Sequence, residues 1–128
     1  MSARLTLRSD ARELRNLRAQ LKQLMVRHEV SAEQCDDLIL VANELTTNAI
    51  EAAALGSDIT VALHLDARDI TLTVENIGAP FTLPADISLP DRTRPRGRGL
   101  ALSSSIVDEL CTEPMIDGTR IVARCRRA

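Results

Sequence analysis

The sequence predicts an α+β domain, a largely antiparallel sheet with helices packed on one face. Three observations carry that prediction. Strand-like alternation and helix-like periodicity follow one another in the order β-α-α-β-β-loop-α-β-β. The two middle strands are close enough in sequence to form a hairpin. The chain has 128 residues, which suits one domain around one core.

The first strand is "ARLTLR" (3–8), where polar and apolar residues alternate. Residues 10–28 place Leu14, Leu17, Leu21, Leu24 and Met25 at helical spacing, with Asp10 as the N-cap. Arginines alternate with these leucines, as in a solvated amphipathic helix. A second helix starts after Ser31, an N-cap whose capping-box partner is Gln34. It runs to about Leu55 and stops at Gly56. Two strands follow, 58–65 and 69–76, joined by the turn "DARD". Residues 78–96 hold four of the five prolines, which forbids a regular helix or an interior strand there. A loop this long in a small domain is usually functional or disordered. Residues 97–110 read as a Gly-rich start to a third helix, 111–114 as a short strand, "MIDG" as a turn and 119–127 as the last strand. Neither a repeat nor a second domain is visible.

The net charge of −2 provides no field to recruit nucleic acid or an anionic membrane. Phe81 is the only aromatic residue, so the core must be built of Leu, Val, Ile and Ala. Cys35, Cys111 and Cys125 show no zinc-site spacing and read as structural thiols in a reducing compartment. Nothing resembles a signal peptide, and no apolar run reaches the roughly 18 residues of a membrane span. A cytoplasmic protein is the expectation.

Chemistry concentrates in "NELTTNAIEAA" (43–53). At about 100° per residue, Leu38, Val41, Ala42, Leu45, Ala49 and Ala52 form the core stripe of the second helix. Glu44 and Asn48 stack one turn apart along its margin, where a helix can border a pocket. Asn is a poor interior helix residue, because its amide competes for backbone partners. A carboxylate can accept a proton, and an amide oxygen is a hard ligand suited to magnesium. Alone, the pair would be a solvated helix edge. Asn76 is a second oddity, since it continues the inward face of Ile70, Leu72 and Val74 and needs a partner there. It is followed by Gly78, where backbone can approach a ligand closely. The third signal is "GRGL" (97–100), a loop-to-helix junction whose amides can hold phosphate. Arg92, Arg94, Arg96 and Arg98 add positive charge around it. No strand leads into this sequence, so it is not a dinucleotide-binding fingerprint.

In this order the motifs resemble the GHKL ATPase superfamily, over nearly the whole chain. "NELTTNAIEAA" is similar to the N box, "VENIGAP" to the first glycine box, "RPRGRGLAL" to the second and "DGTRI" to the last. The branch it resembles most is the RsbW/SpoIIAB-like anti-sigma factor and serine kinase type. The resemblance implies the Bergerat ATP-binding fold, a two-layer α/β sandwich with a mixed, mostly antiparallel sheet, and one ATPase domain over 1–128. It implies ATP or ADP and Mg²⁺ as cofactors. Asn48 would be the metal ligand and Glu44 the general base. Gly78, Arg96, Gly97, Arg98, Gly99 and Leu100 would wrap the nucleotide beneath a lid at 79–96. Thr119 would help hold adenine, through water. The family's first glycine box begins with an Asp that accepts from the adenine amino group, and here that position is Asn76. Loss of the charge implies weaker nucleotide binding or relaxed adenine selectivity. Pro80 replaces the second Gly of that box and stiffens the start of the lid.

The resemblance also implies partners: a STAS-type anti-anti-sigma protein as the phosphate acceptor, a sigma factor held in partner switching, and a second copy in a homodimer. A different class is a nucleotide-gated binding switch with little or no kinase activity, and phosphate transfer to a partner separates the two. A pure interaction protein with a relict pocket would have no physical need for Glu44, Asn48, Gly97 and Gly99 together. A sensor-kinase fragment would need an acceptor histidine, and neither His28 nor His64 lies in such a motif.

Overall fold

The computed structural model describes residues 1–54, 56–78 and 97–128, with residues 97–100 described by their backbone alone. Strand β1 (Ser2–Arg8) leads through a 3₁₀ turn (Ala11–Glu13) into helix α1 (Leu14–Arg27) and then α2 (Ala32–Ala52). Strands β2 (Asp58–Leu65) and β3 (Asp69–Ile77) form a hairpin, followed by helix α3 (Gly97–Ile106) and strands β4 (Glu109–Pro114) and β5 (Gly118–Arg126). The order across the sheet is β1-β2-β3-β5-β4. Every pairing among the described residues is antiparallel, which corrects the mixed sheet that the resemblance implied to a wholly antiparallel one.

Local chemistry explains the element ends. The Asp10 carboxylate accepts from the Arg12 backbone N–H, so the expected cap opens a 3₁₀ turn, and α1 proper starts at Leu14. Ser31 Oγ accepts from the Gln34 N–H at 3.2 Å. The reciprocal half of the expected capping box is absent. Gln34 instead donates to the Arg126 carbonyl at 2.7 Å and accepts from the Ala128 N–H, which ties α2 to the end of β5. Helix α2 stops at Ala52, short of the expected Leu55, because Ala53 turns extended and pairs with Gly78. The "DARD" turn is held by Asp66 Oδ1, which accepts from the N–H groups of Arg68 and Asp69. Those bonds hold the Asp66 carboxyl below its ordinary pKa. The third helix ends at Ile106 and β4 starts at Glu109, four residues and two residues from their expected bounds.

The core lies between the helices and one face of the sheet. Ile59, Val61, Leu63, Leu65, Ile70, Leu72, Val74, Ile121 and Ala123 alternate onto that face and meet Leu17, Leu21 and Met25 of α1 and Leu38, Val41 and Leu45 of α2. Burying each such side chain stabilises by about 1.5–3 kcal/mol, which is how the fold holds without a large aromatic cluster. On the outer face one guanidinium, Arg120, donates to Glu75 at 2.7 Å and to Glu113 at 3.1 Å, across β3, β5 and β4. The Glu75 bond raises the Arg120 pKa. Burial pushes the Cys35 and Cys125 thiols up, which keeps them unreactive, whereas Cys111 is exposed on β4.

One core residue carries an uncompensated polar atom. Thr46 is 0% exposed and its hydroxyl has no hydrogen-bond partner. An orphaned buried hydroxyl is costly, and Val has the same shape and a similar helix propensity. Thr46→Val is expected to stabilise the protein by about 1 kcal/mol, read as a rise of a few degrees in melting temperature.

Candidate functional site

The polar residues of "NELTTNAIEAA" divide by task. Asn43 Oδ1 accepts from the Arg18 guanidinium at 2.7 Å and fastens α1 to α2. Thr47 Oγ1 donates back to the Asn43 carbonyl at 2.7 Å, as a helical Thr commonly does. Asn48 is different: it is 5% exposed, and its Nδ2 has no partner. The sequence placed Asn48 on a half-solvated margin beside Glu44, and only Glu44 is half-buried. The helical wheel counted the sheet alone as the burying surface. Helix α3 also packs on α2, and the buried stripe extends from Thr46 on one side to Asn48 on the other. These two lie about 160° apart around the helix, so their orphaned atoms do not share a pocket.

Four residues beyond Asn48, and about 6 Å further along the axis, α2 gives way to the end of the sheet. There Ala53 bridges Gly78, and the Ala54 N–H donates to the Ile77 carbonyl at 2.8 Å. The Gly78 N–H donates to the Asp117 carbonyl at 2.8 Å, which adds the β4–β5 turn to the same junction. Gly78 has φ 145°, and a Cβ there would stand 2.6 Å from both Ala52 O and Ala54 N. Only glycine fits, and the backbone that approaches it so closely is the chain's own helix end rather than the ligand expected there.

Two residues before Gly78, Asn76 faces inward from β3. The row across the sheet reads Leu7, Ile59, Asn76, Thr119, Pro114, so an amide and a hydroxyl interrupt an otherwise apolar rung. Asn76 is 4% exposed and its Nδ2 is unpaired, while Thr119 beside it is also buried. Buried polar groups in folded proteins nearly always find a partner, and the amides of Asn76 on β3 and Asn48 on α2 are both buried without one. The adjacent rung holds the Glu75–Arg120 ion pair, which fixes the β3–β5 register next to Asn76 and Thr119.

Gly97 and Gly99 begin α3, whose first N–H groups have no intrahelical carbonyl and form its positive end. Arg96 and the lid assigned to 79–96 lie outside the described residues, as do the side chains of Arg98 and Leu100. The structure thus brings Asn76, Gly78 and Thr119 together, joined to the end of α2 that carries Asn48, with Glu44 one turn further back. A groove of about 750 Å³ at the opposite end of the sheet, among Arg68, Asp108, Glu109 and Arg124, touches none of them.

Sequence reasoning gave no separate weight to Gly118. A Cβ there would lie 1.8 Å from the Asn76 backbone oxygen, so the approach of β5 to β3 depends on its absence. Ser103 of α3 was also missed, and its buried hydroxyl has no partner. Its only sequence signal is a hydroxyl on the inward side of an apolar helix.

The chain matches the histidine kinase-like ATPase domain over residues 7–124. No curated protein matches the sequence. Among solved structures it is similar to the RsbU and RsbW domains of Rv1364c from Mycobacterium tuberculosis, with a TM-score of 0.76 and 20% identity over 99% of this chain and 32% of that one. It therefore spans about a third of that chain. It is also similar to the catalytic domain of the histidine kinase ThkA, with a TM-score of 0.62 and 16% identity over 98% of this chain and 96% of that one. At these identities the likeness is one of fold.

Proposed function

Because the chain belongs to the histidine kinase-like ATPase family, we propose that it binds ATP and ADP with Mg²⁺ and passes the γ-phosphoryl group to a serine or threonine of a partner protein. The observation that supports this reading best is the pair of buried, unpaired amides, Asn48 and Asn76. They fit a ligand with a base at one end and a metal-bound phosphate chain at the other. A base is flat and mostly apolar, which suits the Ile59–Asn76–Thr119 rung. Phosphates would lie on the other side, with Asn48, Glu44 and the first N–H groups of α3.

Magnesium, when bound, supplies charge neutralisation and alignment for phosphoryl transfer. Asn48 would hold it through its amide oxygen. Among the described residues no cluster of three His, Cys, Asp or Glu side chains could hold a metal. Asn48 would therefore share the ion with phosphate oxygens and water, as is usual for magnesium. The α3 N-terminus binds phosphate oxygens through backbone N–H groups. Glu44 accepts the hydroxyl proton of the partner's side chain as that oxygen bonds to the γ-phosphorus and ADP departs. Thr119 would orient the base beside Asn76.

The partner class that suits this reading is a STAS-type anti-anti-sigma protein, with a sigma factor as the competing partner in the cytoplasm and a homodimer as the working form. The motif resemblance points to this branch, and the RsbW domain of the mycobacterial structure shares the fold. No described helix is long and apolar enough to cross a membrane. The second reading, a nucleotide-gated binding switch without transfer, draws on Asn76, where the charged acceptor of the family is missing.

Glu44→Gln separates the two. It keeps the shape and removes the base. Nucleotide binding by calorimetry is expected to stay within about threefold of wild type, while phosphate transfer to the partner falls by about 10²–10⁴. Wild-type protein that binds ATP and transfers nothing to any STAS partner supports the switch instead.

A further inference from the structure

We infer that Asn76 is a two-way purine reader and that the site takes guanine as well as adenine nucleotides. This rests on the nucleotide-binding reading and specifies its substrate class. The Asn76 side chain is 4% exposed and its Nδ2 has no partner. None of the described hydrogen bonds fixes which way the amide faces. Asn43 is the contrast, because Arg18 occupies its oxygen and sets its orientation. On the sheet, Asn76 is flanked in its own rung by Ile59, which has no polar group to offer, and by Thr119.

A free amide presents one donor and one acceptor side by side. Adenine presents the complementary pair at its edge: the N6 amino group donates and N1 accepts. Guanine presents the same pair reversed, with O6 accepting and N1–H donating. Turning the amide by 180° exchanges its oxygen and nitrogen and converts one match into the other. In either orientation the buried Nδ2 gains the acceptor it lacks. Held at the 6-position of the purine, a carboxylate could only accept, so it would take the adenine N6 amino group, repel guanine O6, and favour adenine in that pose. Substituting an amide for that carboxylate therefore broadens the site.

The test is competition binding: displacement of a fluorescent ATP analogue by ATP and by GTP, each with Mg²⁺, on wild type and Asn76→Asp. The expected wild-type affinities for ATP and GTP lie within about tenfold of each other, and Asn76→Asp disfavours GTP by a further factor of about 10² or more. Wild type that binds ATP and rejects GTP by more than about 10² overturns this inference and leaves the ATP-binding reading standing. An unchanged ratio in a folded Asn76→Asp protein also overturns it. If the aspartate variant fails to fold, the wild-type ratio decides alone. Failure of wild type to bind either nucleotide overturns both readings.

Discussion

Asn48→Ala is expected to weaken Mg²⁺-dependent ATP binding at least tenfold while leaving the fold as stable as before, or more so. The two halves of this outcome come from the same atom. Asn48 Nδ2 is buried without a partner, so the native state already bears the cost of desolvating it. Alanine removes that cost and is the best helix former, whereas Asn is among the poorer ones. Against this stands the small cavity left by the amide, a loss of about 1 kcal/mol or less for so few atoms. A purely structural asparagine would behave the other way, because its removal would break hydrogen bonds. Loss of the proposed metal ligand is expected to weaken ATP affinity at least tenfold, or about 1.4 kcal/mol. Calorimetry with and without Mg²⁺, alongside a thermal melt, measures both. A variant that melts much lower and binds ATP normally would assign Asn48 to the core and remove the main support for the site.

The contrast between Asn48 and Asn76 shows how far the sequence carries. Asn76 was legible because strand period is two, and a polar residue in phase with Ile70, Leu72 and Val74 must face inward. The sheet confirms that placement rung by rung. Asn48 was legible as an anomaly, but its burial was not. A helical wheel records angles around one helix and carries no information on whether a second helix covers the margin. Helix α3 packs on α2 from about fifty residues away in sequence, beyond the reach of local periodicity. The end of α2 was misplaced for a related reason. Gly56 is a sound stop signal and does adopt positive φ, at 78°. Tertiary pairing of Ala53 with Gly78 pulls the chain out of the helix first. Gly118 is the extreme case. Its importance lies in a backbone oxygen of another strand, and no pattern around residue 118 encodes it.

Gly118→Ala is accordingly expected to be the most damaging single methyl group in the described part of the chain. The new Cβ would stand 1.8 Å from the Asn76 carbonyl oxygen, where real contacts begin at about 3.0 Å. Both atoms belong to backbone or sit directly on it, so no rotamer relieves the overlap. The strands must separate by more than 1 Å there, and the bond that joins the end of β3 to the β4–β5 turn, Gly78 N–H to Asp117 at 2.8 Å, goes with it. Strain and the lost bond together come to about 2–4 kcal/mol, or a melting temperature lower by roughly 10 °C. Because Thr119 follows directly and Asn76 carries the clashing oxygen, the site opens at the same rung, and nucleotide affinity is expected to fall along with stability. Gly56→Ala is the control. Gly56 also has an unusual backbone, yet nothing lies within 4 Å of a Cβ built there. Its cost is the left-handed conformation alone, about 1–2 kcal/mol, with binding unchanged. Equal melting temperatures for the two variants would mean that β5 does not approach β3 as closely as described, and the Asn76–Thr119 rung could no longer be treated as one wall of the site.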